Sequence, residues 1–166
     1  MHNSSEIEIP SNLTKAELYQ RLRTELGAIV EGERDLIANT ANCAALLFHS
    51  LPGINWAGFY FLKDDDLVLG PFQGKIACVR IGPGRGVCGA AVQKQETIVV
   101  QDVHAFPGHI ACDSASKSEI VTPLKKPGRI LGVLDLDSPL LGRFDGEDAA
   151  GLESLATFLV AASDTP

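Results

Sequence analysis

Cys78, Cys88 and Cys112 are the side chains with the greatest chemical capacity in this sequence, because a thiolate can act as a nucleophile, bind a metal or form a disulfide. A fourth cysteine, Cys43, lies in "ANCAALL", an apolar helical setting typical of a buried small side chain, and we assign it no role.

The sequence shows neither an N-terminal targeting signal nor a long apolar run, so we expect a cytoplasmic protein with no membrane partner. Thiols are kept reduced in that compartment, which argues against structural disulfides.

The loop "FPGHIACDSASKSE" surrounds Cys112 with polar and basic side chains, among them His109, Ser116 and Lys117. Such a setting can stabilise a thiolate while leaving it open to solvent. The sequence therefore makes Cys112 a candidate nucleophile. A loop cysteine without a function is the alternative on these residues alone.

The cysteine spacing is unlike that of a structural zinc site. Cys78 and Cys88 are ten residues apart and Cys112 follows 24 residues later, whereas zinc knuckles use C-x₂-C pairs. A Cys₃His site that includes His104 or His109 stays open as an alternative. We predict no metal and no cofactor.

The glycine-rich run "GPGRGVCG" at 82–89 contains the pattern G-x-G-x-x-G of dinucleotide-binding loops. The next strand-like run follows too soon for the helix of a Rossmann crossover. We therefore favour a turn with positive φ angles that leads into a short helix. The N–H groups at the start of that helix would suit an anion such as a carboxylate.

Asp135 and Asp137, in "VLDLDS", stand two residues apart in a strand-like run and so point to one face, opposite Leu134 and Leu136. Two carboxylates on one buried face are costly unless they bind a cation, share a proton or contact water. A substrate ammonium group would satisfy them. Simple exposure to solvent is the alternative.

Trp56 and Tyr60 lie four residues apart in another strand-like run and share a face, while Phe59 and Phe61 take the other face. Aromatic side chains on one face of a strand are usually part of a core. They also form a good wall for an apolar or sulfur-containing ligand, because thioether sulfur packs well on aromatic rings.

Helices at both ends of the chain and strands between them predict an α+β fold. Thr14 and Glu17 have the spacing of a capping box before a helix over about 15–29, a second helix ends before Pro52, and Asp145 can cap the last helix. Six strand-like runs lie between them: "INWAGFYFL", "DLVLGPFQ", "KIACVRI", "ETIVVQDV", "SEIVTPLKK" and "RILGVLDLDS". We predict an antiparallel six-stranded sheet with the N- and C-terminal helices on one face and a ligand pocket on the other.

Charge argues against a nucleic-acid partner. The chain of 166 residues has a formal net charge of −7, and its Lys and Arg residues are scattered rather than clustered. Phosphate binding needs clustered positive charge.

Four segments together resemble the free methionine-R-sulfoxide reductase family, small enzymes made of a single GAF-type domain: "NWAGFYFL", "GPFQGKIACVRIGPGRGVCGAA", "QDVHAFPGHIACDSASKSEIVTPL" and "LGVLDLDSP". The resemblance runs from about Leu18 to Leu159. Three cysteines, one loop and the paired aspartates recur in the family's order and spacing. It implies a GAF-like fold, with residues 1–13 as a flexible N-terminal segment and residues 14–163 as one catalytic domain.

The resemblance also implies the activity, which is the reduction of free L-methionine-R-sulfoxide to methionine. Cys112 would attack the sulfoxide sulfur and become a sulfenic acid, Cys78 would resolve that acid as a disulfide, and Cys88 would be a third catalytic cysteine with a secondary role. Thioredoxin would then reduce the disulfide.

The implied substrate contacts come from two groups of side chains. Glu119, Asp135 and Asp137 match the acidic ligand-contacting residues, and Trp56 with Tyr60 matches the aromatic wall of the pocket. The N-terminal helical hairpin would suit a homodimer contact. The alternative function is a GAF-type small-molecule or redox sensor without catalysis, since this fold is widely used for sensing.

Overall fold

Three of the helices begin at residues whose side chains accept hydrogen bonds from the first helical turn. A computed structural model describes Pro10, residues 12–110 and residues 113–165. The helices of this part of the chain are α1 (Lys15–Ile29), α2 (Leu36–Ser50), α3 (Gly86–Lys94) and α4 (Gly146–Ala162). The predicted capping box at Thr14 and the predicted cap at Asp145 are both present, and Asp35 caps α2.

Each of the six predicted strand-like runs contributes a strand to one antiparallel sheet, in the order β3-β2-β1-β6-β5-β4. The strands are β1 (Trp56–Lys63), β2 (Asp66–Gly74), β3 (Arg80–Ile81), β4 (Ile98–Val100), β5 (Ser118–Lys126) and β6 (Arg129–Ser138). A 3₁₀ turn at Val103–Ala105 follows β4. The predicted α+β fold with six antiparallel strands is confirmed.

The two faces of the sheet bury separate apolar clusters. One face packs against α2 and α4, on which α1 lies in turn, and contains Phe59, Leu134 and Leu136, all fully buried. Full burial of such a side chain stabilises the fold by about 1.5–3 kcal/mol. The other face packs against α3 and carries Trp56 and Tyr60. The alternation read from the sequence in the first and sixth strands is therefore confirmed.

The third strand-like run is shorter than predicted. Of "KIACVRI", only Arg80 and Ile81 pair with a neighbouring strand, so Cys78 lies in the loop before β3 and not at the end of a strand. The apolar residues of the run do not alternate between two buried faces, since Ile76 and Val79 are both exposed. The fourth run is also reduced, to Ile98–Val100.

Most of the predicted flexible segment 1–13 lies outside the described residues. Within the described part of the chain, none of the helices has the length and apolar composition needed to cross a membrane.

Candidate active site

The register of three central strands brings an aromatic ring and two carboxyl groups into one row. Trp56 of β1 pairs with Asp137 of β6, and Asp137 pairs on its other side with Glu119 of β5. Asp135 lies two residues along β6 on the same face. These side chains all face the cluster beneath α3, away from the terminal helices.

Burial raises the pKa of Glu119, Asp135 and Asp137 well above the ordinary range of carboxyl groups, and their mutual repulsion adds to the effect. Asp137 is the charge that acts most strongly on Glu119, and Glu119 in turn acts on Asp135. Carboxyl oxygens of Asp135 and Glu119 lie within 4.8 Å of each other. The cluster therefore holds a proton more readily than isolated carboxyl groups do.

Cys88 reaches this cluster from the first turn of α3. Its thiol donates a hydrogen bond of 3.5 Å to Oδ2 of Asp135, and the residue is 3% exposed. Burial raises the pKa of Cys88 well above the usual thiol range, and the negative charges of Asp135 and Glu119 raise it further. Cys88 is thus a protonated donor beside the carboxyl groups rather than a ready nucleophile.

The glycine run places α3 at this position. Gly84 and Gly86 have φ angles of +67° and +62°, and a Cβ on Gly89 would lie 2.6 Å from the carbonyl carbon of Gly84. The turn is therefore tight enough to require glycine. α3 is nine residues long and connects β3 and β4, which lie at opposite edges of an antiparallel sheet. This is not the parallel βαβ unit of a dinucleotide site, in agreement with our interpretation of the run.

Trp56 and Tyr60 form a wall and also hold the loop that carries Cys78. Their rings stack with centroids 6.0 Å apart. Nε1 of Trp56 donates a hydrogen bond of 3.1 Å to the carbonyl of Lys75, and the Tyr60 hydroxyl donates one of 3.0 Å to the carbonyl of Cys78. The loop from Lys75 to Cys78 thus depends on the aromatic wall where strand pairing is missing.

The loop before β5 contributes His109, which the sequence indicated only as a neighbour of Cys112 and as one of two candidate histidine ligands of a metal. Nε2 of His109 lies 3.4 Å from Oε2 of Glu119. Burial lowers the pKa of His109, so the imidazole is largely neutral near pH 7 and the contact is a polar contact rather than an ion pair. Only its position in "FPGHIAC", three residues before Cys112, could have suggested this role.

Asn55 anchors the chain on the other side of residue 112. Its Nδ2 donates hydrogen bonds of 3.2 Å to Oδ2 of Asp113 and to Oγ of Ser116. Lys75 Nζ lies 3.3 Å from the other carboxylate oxygen of Asp113. The backbone N–H of Ala115 and the positive charge of Lys75 hold the pKa of Asp113 below its ordinary value. Only its place directly before β1 could have suggested Asn55 from the sequence.

Most of these side chains line one cavity that is partly open to solvent. The predicted site residues that line it are Trp56, Tyr60, Cys88, Glu119, Asp135 and Asp137. Cys78 lies in the loop at its rim, next to Ala77, which lines the cavity.

Cys112 lies outside the described residues, and its predicted role stays a prediction. Cys43 is buried in the other cluster, where burial raises its pKa to about 12.

A metal ion could be held at one place in this cavity. Ligand atoms of Cys88, Glu119 and Asp135 lie within 4.8 Å of one another, and all three residues are buried. This is not the Cys₃His site considered from the sequence, because only one cysteine takes part and two carboxyl groups join it.

The architecture and the cavity define the class of protein. An antiparallel six-stranded sheet with terminal helices on one face and a cavity beneath a short helix on the other is that of a GAF domain, and the model of the GAF domain family matches residues 16–162. The fold predicted from the resemblance is thereby confirmed.

Comparison with individual proteins identifies the family within the GAF domains. The chain is 55% identical over 147 residues to the free methionine-R-sulfoxide reductase of Escherichia coli (strain K12), covering 89% of each chain. It is 40% identical over 166 residues to the enzyme of the same name from Saccharomyces cerevisiae, covering 95% of this chain and 92% of that one. The structure is similar to that of the free methionine-R-sulfoxide reductase from Neisseria meningitidis in complex with its substrate, with a TM-score of 0.88, 49% identity and 92% of each chain covered. The chain belongs to the free methionine-R-sulfoxide reductase family of GAF domains.

Proposed function

We propose that this protein reduces free L-methionine-R-sulfoxide to methionine. The observation that carries the proposal is the crowding of Glu119, Asp135 and Asp137 in a cavity walled by Trp56, where burial and mutual repulsion raise the pKa of each carboxyl group. A sulfoxide sulfur is a poor electrophile until its oxygen accepts a proton or a hydrogen bond, and this cluster can supply either. Family membership supports the same substrate.

The cavity suits a free amino acid better than a residue within a chain. A carboxylate of the cluster can accept hydrogen bonds from the substrate ammonium group. The N–H groups at the start of α3, next to Arg85, can donate to the substrate carboxylate. Trp56 and Tyr60 provide the apolar surface on which the sulfur-containing side chain packs. A methionine sulfoxide within a protein carries neither terminal charge.

In the first step the Cys112 thiolate attacks the sulfoxide sulfur while the oxygen accepts a proton from the carboxyl cluster. The S–O bond of the substrate then breaks as its oxygen is transferred to Sγ of Cys112, and the transient bond between the two sulfur atoms breaks as methionine leaves. Cys112 is left as a sulfenic acid, so the substrate sulfur gains two electrons and Cys112 loses two. Glu119 is the proton donor we favour, because it lies opposite Asp137 and contacts Asp135. Ile110 and Asp113, which line the cavity, are close to Cys112 in the sequence.

In the second step the Cys78 thiol attacks the sulfenic acid, which forms a disulfide and releases water. An external dithiol, for which we propose thioredoxin, then exchanges with the disulfide and restores both cysteines. Cys78 is half-buried in a loop at the cavity rim, whereas Cys88 is buried and protonated. This difference favours Cys78 as the resolving cysteine and a secondary role for Cys88.

A cytoplasmic location, where thioredoxin keeps thiols reduced, belongs to the same proposal, and a homodimer stays a prediction.

The test is NADPH consumption coupled through thioredoxin and its reductase, with free L-methionine-R-sulfoxide, its S epimer and a peptide containing the sulfoxide as substrates. We expect turnover of the first substrate only. Equal rates on the peptide would contradict the claim for a free amino acid. Binding of the R sulfoxide without release of methionine would instead favour the sensor function.

Three cysteine variants separate the roles in the same assay. Cys112→Ser should lose turnover, and Cys78→Ser should release one equivalent of methionine and then recycle poorly. Cys43→Ser is the matched control, because Cys43 is buried in the cluster on the opposite face of the sheet and should leave turnover unchanged. Normal cycling by Cys78→Ser would transfer the resolving role to Cys88 or to the external thiol.

A further inference from the structure

We propose that the reduced cavity also binds a thiophilic divalent cation, Zn²⁺ above all, through Cys88, His109, Glu119 and Asp135. We further propose that the ion competes with methionine sulfoxide and so inhibits the enzyme. The binding site is argued from the geometry of these four side chains, and only the inhibition rests on the proposed function.

Two pairs of ligand atoms already have the spacing of a tetrahedral zinc site. With Zn–S near 2.3 Å and Zn–N and Zn–O near 2.0–2.2 Å, neighbouring ligands of a tetrahedral ion lie about 3.4–3.6 Å apart. Sγ of Cys88 lies 3.5 Å from Oδ2 of Asp135, and Nε2 of His109 lies 3.4 Å from Oε2 of Glu119. The atoms of Cys88, Glu119 and Asp135 all lie within 4.8 Å of one another, so modest rotations of these three side chains would bring them around one ion. His109 is not part of that close group and contacts only Glu119 among the three, so its imidazole must move further to become the fourth ligand.

A second observation points to a ligand at this place. Oδ1 of Asp135 is buried, and no nitrogen, hydroxyl or thiol donor among the described residues reaches it. Asp135 is 7% exposed and lines the cavity. A buried carboxylate oxygen without a donor is costly, and a cation would remove that cost. Several acidic groups crowded in one cavity have the same need for positive charge.

The ligand types select the ion. A thiolate and an imidazole favour zinc and its neighbours in the transition series over Mg²⁺ and Ca²⁺, which prefer oxygen ligands alone. The four side chains also come from four separate elements: α3, the loop before β5, β5 and β6. The fold sets the backbone position of each of these residues before the ion binds. Binding therefore costs less conformational entropy.

The test is titration of the reduced, metal-free protein with Co²⁺, whose bond to a thiolate gives a charge-transfer band in the near ultraviolet. We expect the band to saturate at one equivalent and to disappear when Zn²⁺ is added in excess. Cys88→Ser should abolish the band. Cys43→Ser and Cys78→Ser are matched controls that should retain it. Loss of the band in Cys78→Ser with retention in Cys88→Ser, or no band in the wild type, would overturn the site.

Two further variants cover the case in which Cys88→Ser does not fold. Glu119→Gln and His109→Ala each remove one ligand and should weaken Co²⁺ binding about tenfold or more, which is the scale seen even for outer-shell partners of metal sites. Melting curves establish that each variant is folded. Unchanged Co²⁺ affinity in both folded variants would overturn the site.

The inhibition is measured separately. Free L-methionine-R-sulfoxide should raise the apparent dissociation constant of Co²⁺, and an unchanged constant at saturating sulfoxide would overturn the competition. Turnover measured with EDTA present tests the proposed function without any metal. A Co²⁺ band without turnover would therefore reject the function alone, and turnover without a band would reject the metal site alone.

Discussion

Glu119 and Asp137 lie directly opposite each other on β5 and β6, in the same row of the sheet as Trp56. Like charges opposite each other destabilise a sheet, and these two are also buried beneath α3. The pair tolerates this position because the cluster holds a proton more readily than isolated carboxyl groups do, as the raised pKa of each carboxyl group indicates. A costly arrangement of this kind is typical of an active site.

Glu119→Gln should lower kcat by about 100-fold or more, because Gln can donate a hydrogen bond to the sulfoxide oxygen but cannot transfer a proton. In the wild type, activity should fall as pH rises through the raised pKa of the cluster, and this fall should be absent from the residual activity of the variant. Steady-state kinetics across a pH series provide the measurement. Glu153→Gln, on the exposed side of α4, is the matched control. An unchanged pH profile in Glu119→Gln would assign the proton to Asp135 or Asp137.

Asp135→Asn should stabilise the fold at neutral and alkaline pH. Burial raises the folded-state pKa of Asp135 above its unfolded value. The wild type therefore has its full stability below the unfolded pKa, where Asp135 is protonated in both states, and loses stability as pH rises through the folded pKa. Each pKa unit of the shift corresponds to about 1.4 kcal/mol in the free energy of unfolding. Urea unfolding at pH 4 and pH 8 measures the free energy of unfolding of both proteins. The variant should be more stable than the wild type only at pH 8. Asp65→Asn, an exposed residue between β1 and β2, should show no such difference.

Gly58→Ala should displace Trp56 and weaken substrate binding. A Cβ at position 58 would overlap Cβ of Phe72 and lie 2.5 Å from Cη2 of Trp56, so the ring must move. We expect a loss of stability of about 1–3 kcal/mol, which is typical of overpacking, and a raised KM. Trp56 is the single tryptophan of the chain, so its fluorescence reports the displacement directly. Gly146→Ala has open space around it and should change neither quantity.

Asn55→Ala should slow the reaction of Cys112 while leaving the fold intact. The substitution removes the two hydrogen bonds to Asp113 and Ser116 that anchor the chain after residue 112. Alkylation of Cys112 by iodoacetamide, followed by mass spectrometry, measures its reactivity. We expect slower alkylation of Cys112 in the variant together with a lower kcat. Asn42→Ala, exposed on α2, is the control. Equal alkylation rates in the two variants would show that Asn55 does not position this segment.

Lys75→Ala should have a smaller effect than Asn55→Ala. The ion pair of Lys75 with Asp113 is 3.3 Å long, but the lysine side chain is 72% exposed. Exposed pairs of this kind contribute about 0–1 kcal/mol and are screened by salt. We therefore expect the kcat of Lys75→Ala to approach that of the wild type as salt is added, which a salt series of the coupled assay measures. A kcat loss as large as that of Asn55→Ala at high salt would contradict this ranking.

Local patterns in the sequence determined the helices, the four longer strands β1, β2, β5 and β6, and the faces of the sheet. Thr14 and Asp145 have side chains that cap the turns directly after them, so their effect needs no distant partner. The alternation of Asp135 and Asp137 with leucines likewise assigns opposite faces of one strand, because the side-chain period of a strand is two. The resemblance of four segments to one family supplied the remaining roles.

Only the tertiary structure decided which of these side chains meet. Cys88 and Asp135 are 47 residues apart, and their hydrogen bond exists because α3 packs across the face of β6. His109 and Asn55 belong to the site through loops, where no hydrophobic period marks the position of a side chain. The loop around Cys78 is held by Trp56 and Tyr60 instead of by strand pairing, so only the last two residues of this predicted strand form one. The raised pKa values likewise follow from burial, which is a property of the packed sheet and helix and not of any segment of the sequence.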